Sequence, residues 1–401
     1  MTRRTLPLAA SLTVLAAGLA VAPLASSASA APVHGDKRVC AAKSGVASCH
    51  AHVRTLVGKD GKVRPDATTT RTSGYISADL KSAYKLPAGT TTTTVAVVDA
   101  YANPPATTAS DLNTYRTSTG LPALTAGQLT QVNQNGAALT NGLVPTDVGW
   151  GQEQMLDLEM VSAICPSCKI LYVGANSASF NDLATAVNTA ARTAGVTVIS
   201  NSYGGPEFST ETSLASAYDH PGIAITVSSG DSGYGVQAPA AFNTVVAVGG
   251  TTLKRATSTR GWTETAWSGA GSGCSAIIGQ KSWQQGRSSN CTSRRIVSDV
   301  SAVADSATGV AVYDSFGSTG GANWFVFGGT SVAAPIIGAV YALSGNTAGY
   351  PAQLAYTTSG GLFDVVSGSN TRRCRAGNLC SAVSGYDGPT GMGTPNGVSA
   401  F

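Results

Sequence analysis

From Gly74 onward, short apolar runs alternate with longer stretches of helical periodicity, whereas residues 31–71 are polar and poor in large apolar side chains. Threonines 90–94 feed the run Val95-Ala96-Val97-Val98, a β-branched segment that reads as a strand ending at Asp99. Between Trp150 and Ile164, Met155, Leu158 and Val161 recur near the helical period. Ser179 to Ala194 reads as a second helix, with Ser179 as N-cap and Gly195 just past its end. Lys169–Val173, Val196–Ser200 and Ile223–Val227 read as further strands, Thr210–Tyr218 as a helix, and an apolar helix runs from Gly329 to about Leu343. Residues 255–300, rich in Gly, Ser and Trp, read as irregular. Continuously apolar strands separated by helices imply an α/β fold with a mainly parallel sheet covered on both faces. Ligands in such sheets sit outside the carboxyl ends of the strands.

Residues 1–30 have the order of a secretory signal: Arg3 and Arg4, an apolar stretch from Leu6 to Leu24, then Ala28-Ser29-Ala30. The expected organisation is therefore a signal over 1–30, a short N-terminal or pro segment over 31–73, and the α/β domain over 74–401. The expected location is extracellular, with no membrane attachment after cleavage. All eight cysteines follow the cleavage point and fall into sequence-local pairs, suggesting Cys40–Cys49, Cys165–Cys168, Cys274–Cys291 and Cys374–Cys380. A redox role for Cys165-Pro-Ser-Cys168 is the alternative; zinc lacks a second ligand pair, because His34, His50, His52 and His220 are scattered. The net charge of +4 is small and no long basic track exists, which argues against nucleic acid as a partner.

Three places could carry chemistry. Ser331 in Gly329-Thr330-Ser331 opens a helix, where backbone N–H groups can stabilise an oxyanion; the same triplet could simply cap a buried helix. Glu153 and Asp157 lie four residues apart, about 40° around a helix axis, so they can share a proton; they could equally form an acidic surface with Glu159. Asp231, in Ser229-Gly230-Asp231-Ser232-Gly233, follows an apolar strand and could be catalytic or only turn-forming. A nucleophilic serine needs a base, usually histidine. His34, His50 and His52 belong to the N-terminal segment and His220 stands beside Pro221 in a loop, so a carboxylate is the expected base.

Together these segments resemble the sedolisin family of serine-carboxyl peptidases, which have a subtilisin-like fold with Glu in place of the catalytic His. Gly-Thr-Ser-x-x-x-Pro at 329–335 is shared with subtilisins; Glu153-x-x-Leu-Asp157 and Gly230-Asp231-Ser232-Gly233 resemble the sedolisin motifs proper. The resemblance implies a three-layer domain in which Ser331 is the nucleophile, Glu153 its base, Asp157 the partner of Glu153, and Asp231 an oxyanion donor kept neutral in acid. The implied activity is that of an acid-active endopeptidase or tripeptidyl peptidase acting on proteins or peptides, as a monomer. Segments 363–370 and 385–395 resemble the family's structural calcium site, implying ligands from the Asp364 and Asp387 side chains and the Val365, Val383 and Gly385 carbonyls. Asp99 and Asp147 are assigned to structure or to the rim of the site. The rival functions are a non-catalytic peptide-binding scaffold and a peptidase using His220 with Asp99.

Overall fold

The computed structural model describes residues 1–2, 34–58, 60–318, 321 and 323–401, of which His34–Phe401 form one compact unit. The expected secretory signal lies outside the described residues. In chain order, the N-terminal part contributes β1 (His34–Arg38), β2 (Ser48–Cys49), β3 (His52–Val57), β4 (Val63–Pro65) and α1 (Ser77–Ala83). Next come β5 (Thr94–Ala100), α2 (Pro105–Ser118), β6 (Leu129–Asn133), α3 (Val148–Ile164), β7 (Lys169–Ala175), α4 (Phe180–Arg192), β8 (Val196–Asn201) and β9 (Tyr203–Pro206). After a 3-10 turn over Glu211–Tyr218, the chain forms β10 (Ala224–Ser228), β11 (Gln237–Ala238), β12 (Val246–Arg255) and β13 (Trp262–Ala266). It continues through β14 (Gly273–Gly279), β15 (Arg294–Val297), β16 (Val300–Val303), β17 (Val310–Tyr313), β18 (Trp324–Gly328) and α5 (Thr330–Ser344).

The central sheet runs β13-β12-β10-β8-β5-β7-β6, with β16 also beside β12. Its pairings are parallel except for the β12–β13 edge. β5 shows why the run at 95–98 is continuously apolar. Val95 and Val97 enter the core with α3 and α5, while Ala96 and Val98 enter the opposite core with α4. Alternate side chains of a strand point to opposite faces, and here both faces are covered by helices.

Capping follows the sequence closely. Ser179 accepts from the Asp182 amide at 3.1 Å, and Asp147 accepts from the Trp150 amide at 3.0 Å, so Asp147 is the N-cap of α3. Two regions differ from the sequence reading. The helix over 210–218 is 3-10 rather than α. The stretch 255–300 contains β13 to β15 and the start of β16, whose polar faces hid their pattern.

The segment read as N-terminal or pro is built into the unit. β1, β3 and β4 form an antiparallel sheet with β18 and β17, and β2 pairs with β9. The four disulfides are Cys40–Cys49, Cys165–Cys168, Cys274–Cys291 and Cys374–Cys380, the pairs expected from spacing, and no cysteine is left free. Among the described residues no helix is long and apolar enough to cross a membrane.

Candidate active site

Ser331 is the second residue of α5, and its helix begins after Gly329 at φ +97°, a left-handed conformation that favours glycine. Space demands glycine there too. A Cβ at Gly329 would stand 1.8 Å from the His50 carbonyl oxygen and 2.7 Å from Asp231 Oδ2. The Ser331 hydroxyl is buried and donates to the Ser202 carbonyl at 3.2 Å. Ser202 follows β8, at the carboxyl end of the central sheet, where sites of this fold class assemble.

Helix α3 packs against α5 and carries the carboxylates. Glu153 and Asp157 have no exposure, which removes the reading of an acidic surface; Glu159, also fully buried, accepts from the Tyr313 amide at 3.0 Å. Burial is the main cause that pushes the Glu153 carboxyl well above the usual carboxylate range. The charges of Asp157 and Asp99 add to that, and the nearby Ser331 hydroxyl opposes it. Asp157 is likewise raised, first by burial and then by Asp99, against the opposing effect of the Ser202 hydroxyl, which donates to its Oδ1 at 2.9 Å. Neither oxygen of Glu153 nor Asp157 Oδ2 has a hydrogen-bond partner when both groups are ionised. A proton held between the two carboxyls supplies the missing donor and removes one buried charge.

Asp99 is not at the rim. It is fully buried, both its oxygens lack partners, and burial pushes it up to about 8. Its charge acts on both Glu153 and Asp157, so three carboxyls form one buried acidic group beside Ser331. No histidine contributes to the electrostatics of Glu153, Asp157 or Asp99, and His220 stands in the loop after the 3-10 turn.

Asp231 approaches Ser331 from the other side. Its Oδ1 accepts from the Thr330 amide at 2.9 Å and the Thr330 hydroxyl at 2.7 Å, which locks the turn after β10 onto the start of α5. Its Oδ2 is buried without a partner, facing His52 Nε2 at 3.5 Å. The structure thus brings Ser331, Glu153, Asp157 and Asp231 together. It places Asp99 in the interior beside them and adds residues the sequence did not suggest: Ser202 and the histidines His50 and His52. Ser202 was findable from its place after an apolar strand. The histidines were not, because a polar segment before the first helix gives no periodic signal of where it packs.

The loop that resembles a calcium site closes on itself. Gly385 N donates to Asp364 Oδ2 at 2.8 Å, and Val383 N to Asp387 Oδ2 at 3.3 Å. Asp387 is fully buried, and burial together with the facing charge of Asp364 pushes it up to about 7. Val365 is buried, and Val383 is exposed. Among the described residues no cluster of three or more Asp, Glu, His or Cys side chains is placed to hold a metal. What this loop offers is two mutually repelling carboxylates and backbone carbonyls. All are hard oxygen donors whose repulsion a divalent cation relieves, so the residues fit calcium.

Comparison with known proteins gives the same picture. The subtilase family profile matches residues 123–358, more than half of the chain. The chain is 30% identical over 385 residues to kumamolisin of Bacillus sp. strain MN-32, covering 86% of this chain and 66% of that protein. It is 32% identical over 205 residues to sedolisin of Pseudomonas sp. strain 101, covering 43% of this chain and 33% of that one. The chain thus spans just under two thirds of the first and one third of the second. Among solved structures, Pseudomonas sedolisin, a serine-carboxyl proteinase complexed with two molecules of pseudo-iodotyrostatin, superposes with a TM-score of 0.68. That alignment is 25% identical and covers 81% of this chain and 96% of the other. The fold, the buried carboxylates beside a helix-start serine and these likenesses agree: the chain belongs to the subtilase family and, within it, to the sedolisins.

Proposed function

We propose that this protein is a serine-carboxyl peptidase that hydrolyses peptide bonds in acid. The observation that carries this is the fully buried Glu153–Asp157 pair beside the Ser331 hydroxyl, with no histidine among the groups acting on it. Ser331 Oγ attacks the peptide carbonyl and Glu153 takes its proton, then returns it to the leaving amine. Asp157, held by Ser202, keeps Glu153 in place through their shared proton. Asp231 Oδ2 has no hydrogen-bond partner and, when it carries a proton, donates to the tetrahedral oxyanion. Calcium held by Asp364, Asp387 and the carbonyls of Val365, Val383 and Gly385 would stiffen the C-terminal loop, away from the chemistry. Four disulfides that use every cysteine support an extracellular setting.

The test is hydrolysis of a denatured protein from about pH 3 to pH 8 by the wild type, Ser331→Ala and Glu153→Ala. Activity on the acid side that is lost in both variants is the expected result. Activity that survives Glu153→Ala, or an alkaline optimum, rejects the mechanism.

A further inference from the structure

Helix α3 carries Glu153, yet its pattern of side chains cannot set how it is rotated about its axis. Every residue from Glu153 to Ile164 is buried, so no solvent-facing side distinguishes one rotation from another. Apolar burial is non-directional, and hydrogen bonds must fix the rotation. In the far half of the helix, the Arg116 guanidinium donates to Ser162 Oγ at 3.1 Å, and the Tyr313 amide donates to Glu159. In the turn that carries Glu153, the anchor is Asn103. Its N–H donates to Gln154 Oε1 at 2.8 Å and its Nδ2 to the Gly151 carbonyl at 3.2 Å. Gln154 Nε2 donates onward to Thr108 Oγ1 on α2 at 3.1 Å. Asn103, Gln154 and Thr108 are all buried.

The fit at Gly151 is close. A Cβ there would stand 2.2 Å from Asn103 Oδ1, so only glycine lets Asn103 lie against the helix at this point. Gly151 and Gln154, three residues apart, share one side of α3. Glu153 stands about 100° from Gln154 and about 160° from Gly151 around the axis. Asn103 therefore grips the helix on a different side from the one that presents the carboxyl. A helix with its side chains is about 10–12 Å across, so a roll of about 10° moves a side-chain tip by about 1 Å. A misplacement of about 1 Å at reacting groups can cost on the order of a hundredfold in rate.

The chain reaches this place through an unusual turn. Tyr101, directly after β5, has φ +67°, a left-handed conformation that a residue with a side chain rarely adopts. Its N–H donates to the Ala175 carbonyl at 2.7 Å, and its own carbonyl accepts the Tyr172 hydroxyl at 2.8 Å. Backbone in such a sparsely populated region persists only where its surroundings over-determine it, and it clusters at functional sites. Asn103 stands two residues later.

We propose that Asn103 and Gln154 are positioning residues, which together set the rotation of α3 that presents Glu153 to Ser331, and that the left-handed turn at Tyr101 delivers Asn103 to that place. This rests on the peptidase reading above. Both bonds join neutral amides, so the grip does not change with the protonation of the carboxyls it serves.

The test measures kcat and KM on a peptide substrate, per titrated active site, from about pH 3 to pH 8. Gln154→Met keeps the length of the side chain and removes the acceptor, whereas Gln154→Glu keeps an acceptor oxygen. Gly151→Ala keeps every polar group and favours the helix, but drives a Cβ onto Asn103. In Gln154→Met and Gly151→Ala, kcat should fall about tenfold or more while KM stays within about twofold. The apparent pKa of the Glu153–Asp157 pair, read from kcat against pH, should fall, because a loosened turn admits water to carboxyls that burial holds high. Gln154→Glu should recover most of the lost kcat. If Gln154→Met does not fold, Gly151→Ala decides. Either variant folding with unchanged kcat and pH profile, a change in KM alone, or a Gln154→Glu no better than Gln154→Met overturns this inference and leaves the peptidase reading standing. A folded wild type that hydrolyses nothing, or activity that survives Glu153→Ala, overturns both.

Discussion

Asp99 is the group whose cost is easiest to isolate, because burial alone raises its carboxyl from the ordinary 3.8 to about 8. A carboxyl raised in the folded state binds its proton more tightly there than in the unfolded chain. The stability this gives is present in full below about pH 4, is lost as pH rises, and is gone by about pH 8. A tenfold difference in proton affinity between the folded and unfolded states corresponds to about 1.36 kcal/mol, so a rise of this size amounts to roughly 5 kcal/mol across that window. Asp99→Asn keeps the shape and removes the ionisation. In a Ser331→Ala background, which prevents self-digestion, urea unfolding should be measured at about pH 4, 6 and 8. The parent should lose stability steadily from acid to neutral pH. The Asp99→Asn variant should lose several kcal/mol less, and should be the more stable of the two at about pH 8. Parallel curves would show that Asp99 does not titrate in this window, and would refute the description of Glu153, Asp157 and Asp99 as one buried acidic group.

Three further outcomes follow from separate parts of the structure. Gly329→Ala forces a side chain into the left-handed region and onto the His50 carbonyl, so urea unfolding should show a loss of about 2 kcal/mol or more. A chelator should lower the melting temperature if calcium occupies the 364–387 loop; calcium present at a hundredfold excess over its Kd contributes about 2.7 kcal/mol, and Asp387→Asn should abolish the response. Ser179→Ala removes the cap of α4 and should cost about 1 kcal/mol in the same unfolding assay, with no effect on hydrolysis.

What could be read from the sequence and what could not divides along physical lines. Strands such as Val95–Val98 are buried on both faces and therefore uniformly apolar, and caps such as Ser179 act within one turn, so both leave a local trace. The Glu153–Asp157 spacing placed two carboxyls on one helix side. The closure of α5 over that side, which makes them buried rather than solvated, is a tertiary fact with no local signature. Asp99 shows the limit in its sharpest form. Its place at the end of a strand was visible, yet that position suits a rim residue and an interior one equally. Only the packing of α3 against β5 distinguishes the two.

The histidines carry the argument further. His50 and His52 lie in a polar segment that reads as a short N-terminal or pro segment, and their absence from any strand-end or helix-face pattern is what pointed to a carboxylate base. That conclusion fits the geometry of Glu153, but not because histidine is distant from the site. Both rings are there: His50 is bonded through both nitrogens, to Ser228 and Gln237, whereas His52 is bonded to Asp36 through Nδ1 and faces Asp231 with an Nε2 that has no hydrogen-bond partner. The ring of His50, with both nitrogens bonded, cannot also take the serine proton, and neither ring is among the groups acting on Glu153 and Asp157. Glu153 is buried beside Ser331 with both oxygens lacking a hydrogen bond, and the Ser331 hydroxyl acts on it directly. In the proposed mechanism the base is therefore the unpartnered carboxyl on which the Ser331 hydroxyl acts, and the presence of histidine in the site does not decide the matter.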